Sequence, residues 1–249
     1  MLTPERQQLI LESVKNHHTV KIKDLVNQTG SSESTIRRDL DQLEQKGLLQ
    51  RVHGGASLLQ TASEELSMGE KSIKNAQEKE SIALHAASLI KDGDCVFLDA
   101  GSTTYAMIPH LRDKEIIVVT NGLNHLDLLS EHHIKTYVLG GLVKHRTQAV
   151  IGTGAMQTLQ QYRFDKCFIG ANGIHATDGY TTPDPEEAAI KQAVIHHSRQ
   201  RYILADHTKF EQVSFTKFAE LHEADIITDD FELELNPYKE KTTVKVVTT

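Results

Sequence analysis

Residues 31–55 read SSESTIRRDLDQLEQKGLLQRVHGG, and their reading decides the fold of the amino-terminal part of the chain. Ser31 or Ser32 is a helix N-cap, because its hydroxyl can accept from a free N–H of the first turn. On a wheel of ~100° per residue, Leu40 and Leu43 fall beside Ile36 and form a buried stripe. Ser34, Arg38, Asp41 and Gln45 lie opposite, with Thr35, Arg37 and Gln42 at the borders. The helix stops at Gly47, and LLQRVHGGA (48–56) alternates apolar and polar residues like a small β wing. The outward face of the N-terminal half is therefore Ser, Thr, Arg and Arg, side chains that reach phosphate oxygens and the O6/N7 edge of guanine.

The residues before this stretch fit the same plan. Thr3, Pro4 and Glu5 open a first helix in which Leu9, Ile10 and Val14 make an apolar stripe. A short second helix over 21–28 turns Ile22, Leu25 and Val26 inward, and Gly30 closes it as a left-handed cap. A short helix, a glycine turn and a polar-faced second helix are the parts that enter the ~12 Å major groove. On this reading Ser32, Ser34, Thr35, Arg37 and Arg38 meet double-stranded DNA, and Arg51 and His53 on the wing meet the flanking backbone. The bland alternatives are a solvated helix face and a polar hairpin edge. The short helix before the arginines and the wing after them favour DNA.

Composition permits this reading. The chain has 249 residues, 39% hydrophobic and 24% charged, with a net charge of −7. Residues 1–57 carry 8 Lys and Arg against 7 Asp and Glu, whereas the rest carries 19 against 27. The amino-terminal part is thus spared the acidity of the remainder. No stretch approaches the ~20 apolar residues of a membrane span. MLTPERQQLI (1–10) lacks a basic-then-apolar leader pattern, so the expected location is the cytoplasm. Cys95 and Cys167 lie in separate apolar runs and read as two buried thiols.

Residues 58–75 lose the periodicity and read as a linker. Over 76–249 a helix near 76–90 precedes the apolar runs CVFLDA (95–100), EIIVVT (115–120), TYVLGG (136–141), KCFIGA (166–171) and RYILADH (201–207). Short apolar strands alternating with helices predict a mostly parallel sheet covered on both faces. The expected architecture is an α/β chain with three parts: a winged helix-turn-helix over 1–57, a linker over 58–75 and an α/β effector-binding domain over 76–249.

The most chemical stretch is FLDAGSTTYAMIPHL (97–111). A strand ends beside Asp99, Gly101 permits a close turn, and Ser102, Thr103 and Thr104 open a helix that Pro109 must shorten or kink. Hydroxyls and free N–H groups converge there, an anion cradle suited to phosphate; a plain helix N-cap is the bland reading. Ligands of parallel sheets bind beyond the carboxyl ends of the strands. That rule adds Thr120 and Asn121, Gly140 and Gly141, Asn172 and Gly173, Glu187 and Lys191, and Asp206 and Lys209.

These motifs together, LTPERQQLILESV, STIRRDLDQLEQKG and RVHGGA above all, make the chain resemble the DeoR family of bacterial transcriptional regulators over nearly its whole length. The resemblance is nearest to the sugar-operon repressors. It implies a second domain resembling ribose-5-phosphate isomerase, a DNA operator, and release by a phosphorylated sugar such as fructose 1-phosphate. A homo-oligomer, dimer or tetramer, is expected because two half-sites multiply the affinity of so weakly basic a reading head.

The resemblance also raises a sugar-phosphate isomerase as the alternative. Such isomerases carry DGADE, where this chain reads IGANG (169–173), with Ile169 and Asn172 at two aspartate positions. Asn172 is no general base, and Glu187 alone remains at what the alignment makes the catalytic glutamate. A binding site without catalytic residues is therefore expected. GTGA (152–155) lacks the full dinucleotide fingerprint and reads as a turn. The fourteen histidines, among them His17-His18, His132-His133 and His196-His197, form no ligand constellation and read as surface residues. No metal and no cofactor are expected.

Overall fold

The computed structural model describes residues 3–17, 19–52, 54–57, 66–230 and 235–248. The chain divides into two compact units, Met1–Thr61 and Ala62–Thr249.

The first unit contains α1 (Thr3–His17), β1 (Thr19–Lys21), α2 (Ile22–Thr29), α3 (Glu33–Gln45), β2 (Gln50–Val52) and β3 (Gly55–Ser57). Gly30 takes φ +65° and sends its N–H to the Val26 carbonyl at 2.9 Å, so the turn between α2 and α3 closes as a left-handed cap. Ile10, Val14, Ile22, Leu25, Ile36, Leu40, Leu43 and Leu49 form one buried cluster. The wing is three-stranded, in the order β1-β3-β2, because Thr19–Lys21 pairs with Gly55–Ser57. A Cβ at Gly55 would run into the Val20 carbonyl, so only glycine lets β3 lie this close to β1.

The second unit opens with α4 (Met68–Ile73) and α5 (Ala76–Ser88). There follow β4 (Cys95–Leu98), α6 (Ser102–Met107), β5 (Ile117–Thr120), α7 (His125–Glu131), β6 (Lys135–Val138), β7 (Leu142–Lys144), β8 (Ala149–Ile151) and α8 (Gly152–Leu159). The remainder is β9 (Phe164–Gly170), β10 (Gly173–His175), β11 (Gly179–Thr182), α9 (Pro185–His196), β12 (Ser198–Leu204), β13 (Thr216–Ala219), β14 (Asp225–Asp229), α10 (Asn236–Lys239) and β15 (Val244–Val247).

Seven strands make one sheet in the order β15-β14-β12-β9-β4-β5-β6, and every neighbouring pair is parallel. Along β4, Val96 and Leu98 enter one core with Ile82, Ala86 and Met107, while Phe97 enters the other with Leu159, Ala188 and Val194. Both faces are covered, as alternating side chains on a buried parallel sheet require. The winding runs β4, β5, β6 to one side and β9, β12, β14, β15 to the other. The strand order thus reverses between β4 and β9, where a parallel sheet leaves a crevice at the carboxyl ends.

Several expectations change. The stretch read as a linker contains α4. TYVLGG supplies only an edge strand, with Tyr137 and Val138 exposed. GTGA is the first turn of α8 rather than a free turn. α6 ends at Met107 and a 3₁₀ turn, Ile108–Leu111, carries Pro109, as a proline inside a helix dictates.

Candidate functional site

In the first unit Ser32 caps α3, its Oγ accepting from the Thr35 N–H at 3.3 Å. Ser34, Arg37 and Arg38 are exposed and Thr35 is half-buried, so the expected face does point outward. Arg37 donates to Glu33 Oε1 at 2.6 Å in an exposed pair of the kind that is easily exchanged. Arg38 has no ion-pair partner among the described residues. Arg51 differs from expectation: it pairs with Asp41, and its N–H donates to Glu44 Oε1 at 2.7 Å, which pins the wing to α3. His53 lies outside the described residues.

Asp39 was not foreseen. It is buried beside the stripe and takes the guanidinium of Arg6, with Nε on Oδ2 and Nη2 at 3.2 Å from Oδ1. The pair joins α3 to α1 and so sets the rotation at which the arginines leave the surface. The legible signal was an acid only ~60° from Ile36 on the helical wheel.

In the second unit a cleft lies at the carboxyl ends of β4, β9 and β12. Its floor is the buried pair Lys191–Asp99, with Lys191 also donating to the Gly170 carbonyl at 3.0 Å and the Gly170 N–H to Asp99 Oδ2 at 3.0 Å. Ser102 and Thr103 line the cleft, and their hydroxyls have no hydrogen-bond partner among the described residues. Thr104 also lines it, but its hydroxyl is spent on the Asp99 and Gly101 carbonyls at 2.6 and 2.8 Å.

Glu187 is buried and tied. Its Oε1 takes Lys144 Nζ at 3.0 Å and Thr147 Oγ1 at 2.7 Å, and Lys144 also meets Asp184 at 3.0 Å. Lys144 and Thr147 come from the β7–β8 hairpin. Asn172 lines the cleft, its Oδ1 accepting from Thr182 Oγ1 at 3.2 Å.

The cleft is rich in cations. Lys71, Lys74 and Lys79 from α4 and its surroundings join Lys191 and Lys209 on the lining, against Asp99, Glu187 and Asp206. Burial pushes the Lys79 and Lys209 amines below the usual lysine range; for Lys209 the neighbours Lys74 and Lys71 add to this while Asp206 opposes it. Burial would raise the Asp206 carboxyl, but Lys209, Thr208, Lys79 and Asn75 together hold it below the ordinary carboxylate range. Lys71, Lys74 and Lys79 escaped sequence reading because they fall in and just after the aperiodic stretch.

Five expected contacts do not reach the cleft. Thr120 Oγ1 donates to the Leu98 carbonyl at 2.6 Å and lies 3.0 Å from His125 Nδ1. Asn121 Oδ1 accepts from the Ala100 N–H at 2.9 Å. Both residues brace the β4 turn instead of facing a ligand. Gly141 packs on the Ile151 carbonyl and the Ala155 N–H, Gly140 sets its carbonyl against Gly154, and Gly173 lies against Thr181 and Gln212. Close backbone packing accounts for these three glycines. His125 also corrects the view of the histidines as surface groups. It is fully buried beneath Gly101, and burial holds its pKa at about 4. Among the described residues no cluster of His, Cys, Asp and Glu could hold a metal ion, and no helix is long and apolar enough to cross a membrane.

Comparison with known proteins agrees with this division. Residues 6–62 match the family model of the DeoR-like helix-turn-helix domain, and residues 74–230 that of the DeoR C terminal sensor domain. The chain is 53% identical over 249 residues to an uncharacterized HTH-type transcriptional regulator, FruR, of Bacillus subtilis (strain 168), covering 99% of each. It is 34% identical to a lactose phosphotransferase system repressor of Staphylococcus aureus (strain NCTC 8325 / PS 47), covering 98% of each. Among solved structures it is similar to ribose 5-phosphate isomerase A of Methanocaldococcus jannaschii, with a TM-score of 0.42 and 19% identity over 55% of each chain.

Proposed function

We propose that this chain, which belongs to the DeoR family of transcriptional regulators, represses a sugar-utilisation operon and leaves its operator when a phosphorylated sugar fills the cleft. The chain is a DNA-binding regulator and not an enzyme. On the DNA side, Ser34, Thr35, Arg37 and Arg38 read base edges, and Ser32 contacts phosphate. On the ligand side, the Ser102 and Thr103 hydroxyls with Lys209 take the phosphoryl group. Asp99, Asn172, Glu187 and Lys191 take sugar hydroxyls.

The observation that carries the reading is the lysine-rich lining of the cleft at the switch point. Five lysines against three carboxylates suit an anion, and fixed carboxylates and an amide suit its hydroxyls. The effector is, first, fructose 1-phosphate. The working form is a homo-oligomer, dimer or tetramer, in the cytoplasm, because two half-sites raise the affinity of a small reading head through effective concentration. Release follows if the sugar prefers an arrangement of the oligomer that misplaces the two reading helices.

The test is a thermal-shift panel of sugar phosphates run beside a gel-shift titration on DNA from the operon. One sugar phosphate is expected to raise the melting temperature and to free the DNA. Bulky replacements of Ser102 and Thr103 are expected to abolish both effects with operator affinity intact. If no phosphorylated sugar moves either readout, the reading is wrong.

A further inference from the structure

Helix α4 is loosely attached to its unit. It has six residues, of which Met68 alone is buried, and Ile73 is 84% exposed. It does not run on into α5: Lys74 is extended, and Asn75 takes φ +54°, left-handed backbone that asparagine tolerates. Four ties hold it. Ser67 and Glu70 close a capping box at its start, and the Met68 N–H donates to the Arg146 carbonyl at 3.0 Å. At its other end the Lys79 amine donates to the carbonyls of Lys71 and Lys74, and Asn75 Nδ2 donates to Asp206 Oδ1 at 3.0 Å. A short helix with so few buried contacts belongs to the least stable part of a fold.

Two of these ties end in the cleft. The side chains of Lys74 and Lys209 both line it, one from the residue after α4 and one from the turn after β12, and neither has a hydrogen-bonded partner among the described residues. Their like charges repel across a partly buried space in which Asp206 opposes the effect, and this repulsion contributes to the lowered Lys209 amine. An anion lying between them reverses the sign of that interaction. In sequence, α4 is also the first element after the segment that follows β3.

We propose that the phosphoryl group of the ligand bridges Lys74 and Lys209 and thereby clamps α4 onto the cleft, so that occupancy is reported at the start of the second unit. This rests on the ligand reading above and adds the element that responds. Without the anion, α4 is held by its cap, by Met68 and by the Lys79 and Asn75 side chains against charge repulsion; with it, two charge-assisted hydrogen bonds are added. The ligand then binds one position of α4 better than another, which is what coupling requires.

Hydrogen–deuterium exchange of the full chain over residues 68–79, with and without millimolar inorganic phosphate, tests this beside thermal melting. Phosphate is expected to raise the melting temperature and to slow exchange in α4 about fivefold or more. Lys74→Ala removes an exposed side chain, so the fold is expected to survive, while the protection of α4 disappears. Lys74→Arg is expected to restore it. Loss of the melting shift as well in Lys74→Ala, with recovery in Lys74→Arg, supports the clamp equally. Undiminished protection in Lys74→Ala, or a melting shift in the parent chain without any change in α4, overturns the clamp and leaves the ligand reading standing. If phosphate changes neither readout in the parent chain, the clamp falls, and the ligand reading is decided by the sugar-phosphate panel.

Discussion

Lys144 sets its amine 3.0 Å from Glu187 Oε1, and Thr147 donates to the same oxygen at 2.7 Å. An Oε1 held in this way is a fixed acceptor, whereas the oxygen of a general base must be free to take a proton from carbon. Lys144→Ala is expected to cost about 1–3 kcal/mol, because it leaves a buried carboxylate short of its cationic partner. A denaturant midpoint equal to that of the parent chain would show the pair to be inert. Neither the parent chain nor Glu187→Gln is expected to interconvert an aldose and a ketose phosphate.

Arg38→Ala is expected to weaken operator binding and relax base preference by ~1–3 kcal/mol if the guanidinium takes a guanine edge. Arg37→Ala must first be corrected for its exposed pair with Glu33, worth about 0.3–0.5 kcal/mol. Fluorescence anisotropy on operator and scrambled duplexes separates the two losses. Unchanged affinity in both variants would remove α3 from the groove.

The Arg6–Asp39 pair predicts a stability effect confined to the first unit. Asp39→Ala leaves a buried guanidinium without its carboxylate, a loss of about 3–5 kcal/mol. That approaches the whole stability of a small domain, ~5 kcal/mol. Calorimetry is expected to lose the transition of the first unit and keep that of the second. Two undisturbed transitions would contradict the role given to the pair.

His125 predicts a pH dependence in the second unit. Its folded pKa of about 4 lies below the ordinary 6.5, so between those values the unfolded chain binds a proton that the folded chain does not. Stability therefore rises with pH through that window and is lost as pH falls through it. The full effect is on the order of 3 kcal/mol. Melting temperatures from pH 4 to 7 test this against His125→Asn, which is expected to flatten the slope at a lower plateau. Equal slopes in the two proteins would assign the acid sensitivity elsewhere.

What could be read from residue order was periodic or local. The stripe of Ile36, Leu40 and Leu43, the cap at Gly30 and the apolar runs of β4, β5, β9 and β12 each declare themselves within a few positions. The cleft was legible only in part. Position after a strand says that a residue is near the carboxyl end of the sheet, not whether its side chain meets a ligand or a neighbouring loop. Ser102, Asn172, Glu187 and Lys209 turn to the cleft, whereas Thr120 and Asn121 brace the turn beside it. Lys71 and Lys74 carried no signal at all, since α4 buries a single side chain and so leaves no apolar period to find. β1 was missed for a similar reason, being three residues whose strand character depends on a partner nearly forty positions away.

The central strand β4 lies between β5, which follows soon after it, and β9, whose paired residues sit 70 positions downstream. Domains generally complete themselves in turn as the ribosome releases them, and distant pairings come last. A nascent chain therefore carries a finished amino-terminal unit well before Gly170 and Lys191 emerge to join Asp99. The cleft is thus among the last parts of the chain to form, and its delay behind the first unit is set by translation speed.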